Sequence, residues 1–174
     1  MVHKEIQTDS ANSIIYAGIA GTAYMTLFSY LASTHKNKNF KEPELLGILL
    51  HRRPVNINYK AAQLTGWLLH YAIGVLFAGF YKPLINKRII KNNAVAGAIT
   101  GAVSGIIAVG VWHTLLRLHP HTPNISRSKF YKHLVLTHIV FGIATFKYLK
   151  KHTKNYRHHV IPINEWSTLP LHKI

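Results

Sequence analysis

This sequence predicts an all-α bundle of four transmembrane helices, and three observations lead there. Asp, Glu, Lys and Arg are absent from Ser10 to Thr34, from Ala61 to Tyr81 and from Asn92 to Leu116. Each of these windows is long enough to cross roughly 30 Å of hydrocarbon at about 1.5 Å per residue. A shorter window, His133 to Phe146, lies between Lys132 and Lys147, with Phe130, Tyr131 and Tyr148 at its ends. Lysines can snorkel outward there while the aromatic rings sit at the interfaces. Finally, 174 residues are too few to surround four such helices with polar ones, as a soluble protein would have to.

The first helix is expected over about 13–33, within a transmembrane unit covering 1–150. It follows the polar opening "MVHKEIQTDSANS", which contains two acids and does not resemble a cleavable signal, so the helix is read as retained. The connection after it, "FKEPELLGILLHRRPVN", predicts a short amphipathic helix. Pro43 suits a first helical position, and Glu42 and Glu44 favour the helix N-terminus. Leu45, Leu46, Leu49 and Leu50 then recur on one face, to lie in the headgroup region or to cap the bundle.

The second helix is expected over about 61–81 and the third over about 93–116, with Pro83 and Pro120 just past their ends. Pro120 and Pro123 interrupt "HPHTPNISRS", which leads into the fourth helix at about 130–149. Residues 151–174 form a basic extramembrane tail, read as extended because of Pro162 and Pro170, with Trp166 touching the interface.

The formal charge is +16, and the chain is histidine-rich, with 13 His. Its Lys and Arg lie in short polar segments between apolar ones, which suits anionic lipid headgroups as partners. No basic stripe interleaved with aromatics is present, so nucleic acid is not an expected partner. There is no cysteine, which excludes disulfides and thiolate chemistry. Lys82, Lys87, Arg88 and Lys91 crowd one connection, and further lysines follow the fourth helix. By the positive-inside rule this places both termini in the cytoplasm.

The two halves of the chain look alike. The first helix contains "AGIAGTAYMTLFSYLAS" and the third "AGAITGAVSGIIAVGVW"; the second and fourth share His-x-x-x-Gly as His70–Gly74 and His138–Gly142. Similar pairs in the same orientation imply a parallel two-plus-two repeat. Gly97, Gly101 and Gly105 form a stripe where another backbone can approach, and Gly18, Thr22 and Thr26 form a similar one. Gly66, His70, Gly74 and Ala78 share one face of the second helix, and Leu134, His138 and Gly142 one face of the fourth. Both imidazoles are therefore expected to point into the bundle. The glycine stripes serve packing within the chain, a helix-packing partner or a homo-oligomer.

Two functions for these histidines stay open at this level. Each can be neutral and bonded to a hydroxyl or carbonyl across a helix interface, with Thr22, Thr26, Ser29 and Ser104 as candidates. Alternatively, His70 and His138 form a cofactor site for haem b or a metal ion, or a proton-handling pair, with Gly74 and Gly142 making room for a macrocycle. A separate metal site nearer the surface would use His113, His119, His121 and His133. The five acids all lie outside the four apolar segments, which argues against an ion carrier. No Gly-x-Ser-x-Gly or His-Glu-x-x-His motif occurs, so no catalytic residues are assigned and the reading leans away from an enzyme.

The segments "AGIAGTAYMTLFSYL", "KEPELLGILL" and "GWLLHYAIGVLFAGFY" together resemble small bacterial four-helix inner-membrane proteins of unknown function. Such proteins look similar in carrying a Pro-Glu-Leu-Leu-type segment after the first helix and a mid-membrane histidine in the next. The resemblance implies a multi-pass protein of the bacterial inner membrane. It implies no activity and supplies no catalytic residues.

Overall fold

The computed structural model describes residues 2–36, 39–52 and 57–160, and the side chains of 11–35, 39–52 and 57–151. Among the described residues every regular element is an α-helix: α1 (Val2–Lys36), α2 (Glu42–His51), α3 (Tyr59–Asn86), α4 (Ala94–Leu118) and α5 (Arg127–Val160). Local chemistry sets the starts. Asn58 and Asn93 each turn a side-chain oxygen onto a backbone N–H three residues on, at 2.8 Å, satisfying a donor that the first helical turn leaves free. At α2, Pro43 takes an early position where its missing N–H costs nothing.

Three helical segments are long and apolar enough to cross a membrane: Ala11–His35, Tyr59–Asn86 and Ala94–Leu118. Their outward faces carry exposed Leu31, Leu64, Phe80, Ile99 and Ile106, an apolar surface unlike that of a water-facing helix. The expected fourth span, α5, does not join them on composition. Its central face is buried against protein, with Phe130, Leu134, Thr137, His138, Phe141, Gly142, Thr145, Phe146 and Leu149 all enclosed, and Lys129, Lys132, Lys147 and Lys150 exposed around it.

The long helices pack in the order α3, α1, α5, α4, each antiparallel to its neighbour, and α2 packs on α3. Small residues bring the backbones together. A Cβ at Gly18 would collide with the backbone of Val75, one at Gly101 with His138 O, and one at Gly142 with Gly97 O. The close approaches that the glycine stripes predict are thus made inside this chain.

Several boundaries differ from expectation. Pro83 lies inside α3, which continues to Asn86, so the helix outlasts its proline by about a turn. The helix of α5 runs to Val160, so the tail is helical where it starts; Pro162, Trp166 and Pro170 lie outside the described residues. The α2 leucines cap the bundle: Leu45 and Leu49 are buried in a cluster with Phe40, Trp112, Leu116, Phe130 and Leu134.

Candidate functional site

Helices α3 and α4 close the ends of the row without packing along each other. Between them lies a cleft of about 670 Å³, walled by Ile73 and Phe77 of α3, Val103 and Ile107 of α4, Met25 of α1 and Phe141 of α5. Tyr81 bridges the gap, sharing a 2.6 Å hydrogen bond with Ser104 Oγ. Glu42, Leu46 and Trp112 line the cleft where α2 covers it.

Both mid-helix histidines are buried, and both line this cleft. His70 Nε2 lies 3.0 Å from Thr26 Oγ1, so its imidazole ties α3 to α1. His138 Nδ1 lies 2.8 Å from Leu134 O on its own helix. A carbonyl only accepts, so Nδ1 carries the hydrogen and Nε2 of the neutral ring is an acceptor. Of the hydroxyls expected as partners, only Thr26 bonds to one of the pair. Thr22 donates to Gly18 O, Ser104 is taken by Tyr81, and Ser29 serves a third histidine. A Cβ on Gly74, which lines the cleft, would strike Thr22, and one on Gly142 the backbone of Gly97 and Gly101.

Glu42 is the polar group that sequence reasoning missed. Its carboxyl is 2% exposed and sits among α1, α5 and the cleft. Ser29 Oγ donates to its Oε1 at 3.0 Å, and Thr137 Oγ1 lies 3.3 Å from the same oxygen while also donating to Leu134 O at 3.0 Å. Ser29 has only one hydrogen, so the 3.1 Å contact from His133 Nε2 must be His133 donating to Ser29, giving a relay from His133 through Ser29 to Glu42. His133 Nε2 is itself 4.0 Å from Oε1, and its ring stacks on Phe40 with centroids 4.5 Å apart. Oε2 is buried and has no hydrogen-bond partner among the described residues. Burial pushes the Glu42 carboxyl up to about 7, against the pull of its own backbone N–H and then of the Ser29 and Thr137 hydroxyls. One signal was available in the sequence: Glu42, Leu45 and Leu49 recur at helical spacing, which places the acid on the buried face of α2.

The surface histidines do not assemble into a metal site; among the described residues no three His, Asp or Glu side chains gather to hold an ion. His133 is buried beside Glu42, whereas His113 faces Tyr131 at 3.4 Å. His119 has both ring nitrogens engaged: Nε2 donates to Leu49 O at 2.9 Å, and Nδ1 accepts from the His121 N–H at 3.1 Å. A proline-bounded connection has used this imidazole to fasten itself to α2.

The chain matches no family model, no curated protein and no solved structure. Fold and site therefore define a class by themselves: a helical protein with membrane-length apolar helices around an apolar side cleft.

Proposed function

We propose that this chain is a four-span integral membrane protein, without enzymatic activity, whose α3/α4 cleft holds a lipophilic small molecule within the bilayer. The observation that carries this reading is the cleft: about 670 Å³, apolar along its walls, and furnished with a few inward polar groups. Ligand pockets of roughly 300–1,000 Å³ have this composition. His70 then ties α3 to α1, and both imidazoles set the polarity at mid-depth.

The crossing of α5 is supported by its packing. It runs antiparallel to α4, from Gly105 beside Val135 to Gly97 beside Gly142, and it also lies along α1. A helix held between two spans over that length shares their depth. Lys87, Arg88, Lys91, Lys147, Lys150 and Lys151 are exposed at one end of the bundle, which supports cytoplasmic termini and contact with anionic headgroups. The resemblance of three segments supports a bacterial inner membrane. A haem b or metal ion between His70 and His138 is the weaker reading, since Thr26 engages Nε2 of His70 and α4 packs against Gly142.

Because the chain has no cysteine, single cysteines report topology directly. Lys87→Cys and Lys151→Cys are expected to label from one side of sealed vesicles and Asn124→Cys from the other. Labelling of Lys151→Cys from the same side as Asn124→Cys would remove the fourth span. Mass spectrometry of protein released gently from detergent should find a lipophilic molecule that Val103→Trp, placed in the cleft wall, displaces. A visible spectrum with a Soret band lost in His70→Ala and His138→Ala would instead favour haem.

A further inference from the structure

The cleft ends at a carboxyl group that its own surroundings leave half satisfied. Glu42 Oε1 receives Ser29 and Thr137, while Oε2 is buried without a partner among the described residues. No Lys or Arg among those residues comes within ion-pair distance of Glu42. Lys41, next to it on α2, pairs with Glu44 at 3.3 Å, and Tyr30 of α1 also donates to Glu44. The groups facing Glu42 are thus Ser29 of α1 and Thr137 and His133 of α5, with His70 and His138 further along the cleft. Helix α4 offers Trp112 and apolar side chains.

This arrangement discriminates among ligands by charge. An anion would meet a carboxyl and no fixed cation. A neutral apolar molecule would leave Oε2 desolvated, which is costly for a buried carboxylate. A positive centre at the α2 end would lie against the Glu42 carboxyl, and Trp112, Phe77 and Phe141 would present aromatic rings to the rest of the molecule. We infer that the cleft takes a lipophilic cation, an apolar body with one positive charge, seated with that charge against Glu42. The inference rests on the cleft being a ligand site.

Proton and ligand then compete for one carboxyl. Burial holds Glu42 at about 7, so the carboxylate form that pairs with a cation gains population as pH rises through neutrality.

The test uses the full-length protein in nanodiscs and two probes of similar shape. Tetraphenylphosphonium carries a permanent charge, so its own state does not change with pH; triphenylphosphine oxide is neutral. Equilibrium dialysis should show tetraphenylphosphonium binding more tightly at about pH 8.5 than at about pH 5.5, on either side of the carboxyl's midpoint. Glu42→Gln, which keeps the hydrogen-bonding shape, should weaken it by about tenfold and flatten the pH profile, with helicity unchanged. Val103→Trp should remove binding. Equal binding of both probes, or an unchanged affinity in Glu42→Gln, overturns the cation inference and leaves the cleft as a ligand site. If neither probe binds, or if Val103→Trp has no effect, the cleft reading fails as well. Should Glu42→Gln not fold, the wild-type pH profile decides: a flat one refutes the inference.

Discussion

The two halves of the bundle meet in the same register with different side chains. In the first half, Gly18 and Thr22 of α1 lie against Gly74 of α3, and Thr26 against His70. In the second, Gly97 and Gly101 of α4 lie against Gly142 of α5, and Gly105 against His138. Threonines on one side thus correspond to glycines on the other. Thr26 gives His70 a hydroxyl across the interface; Gly105 gives His138 nothing, and the ring turns to Leu134 O on its own helix. The same residue type at the same place is a tie between helices in one half and a local bond in the other.

The joins between the halves differ more. At α1 and α5, Gly21 faces Thr145 and Phe141, so the helices close up. The matching positions on the opposite join, Thr100 of α4 and Ile73 and Phe77 of α3, all line the cleft. With a threonine where the closed join has a glycine, the helices stand apart. One small-to-larger exchange accompanies the difference between a packed seam and a cavity.

Overpacking the tighter half should break the comparison most severely. Gly142→Val meets backbone on α4, which cannot yield, and is expected to lower stability by about 3 kcal/mol or more, read as the melting midpoint in detergent. Gly74→Ala strikes the Thr22 side chain and meets Gly18 O only at ordinary contact distance, so its smaller loss should be partly recovered by adding Thr22→Ala.

Glu42 gives the next effect. Its folded value of about 7 lies above the ordinary carboxyl value of 4.5, so stability is fullest below about pH 4.5 and falls as pH rises through 7. The span corresponds to a contribution on the order of 3 kcal/mol, and Glu42→Gln should flatten the melting profile over that window.

The histidines sharpen the comparison with the smallest change. Either His→Ala variant is expected to lower stability by on the order of 1 kcal/mol. A double-mutant cycle of His70→Ala with Thr26→Val should show a coupling of about 0.6 kcal/mol, whereas His138→Ala with Ser104→Ala should show none. Equal coupling in both cycles would erase the distinction between the halves.

The small-residue faces were readable before any coordinates. Gly18, Thr22 and Thr26, Gly66 to Ala78 at intervals of four, Gly97, Gly101 and Gly105, and Leu134, His138 and Gly142 are all buried where the spacing put them. Glu42 falls at the helix N-terminus that the sequence predicts, but its burial depends on what α1 and α5 place around it. The surface-histidine cluster failed for a related reason: closeness in sequence did not bring those rings together.

Long uncharged windows and the period of small residues determined by themselves that helices form, roughly where, and which faces turn inward, because both depend on the geometry of one helix at a time. Only the tertiary structure decided that α3 and α4 stay apart, that α2 delivers a carboxyl into the gap, and that His70 and His138 differ in their partners. Those outcomes depend on which side chain stands opposite which, at separations of a few ångströms between distant parts of the chain.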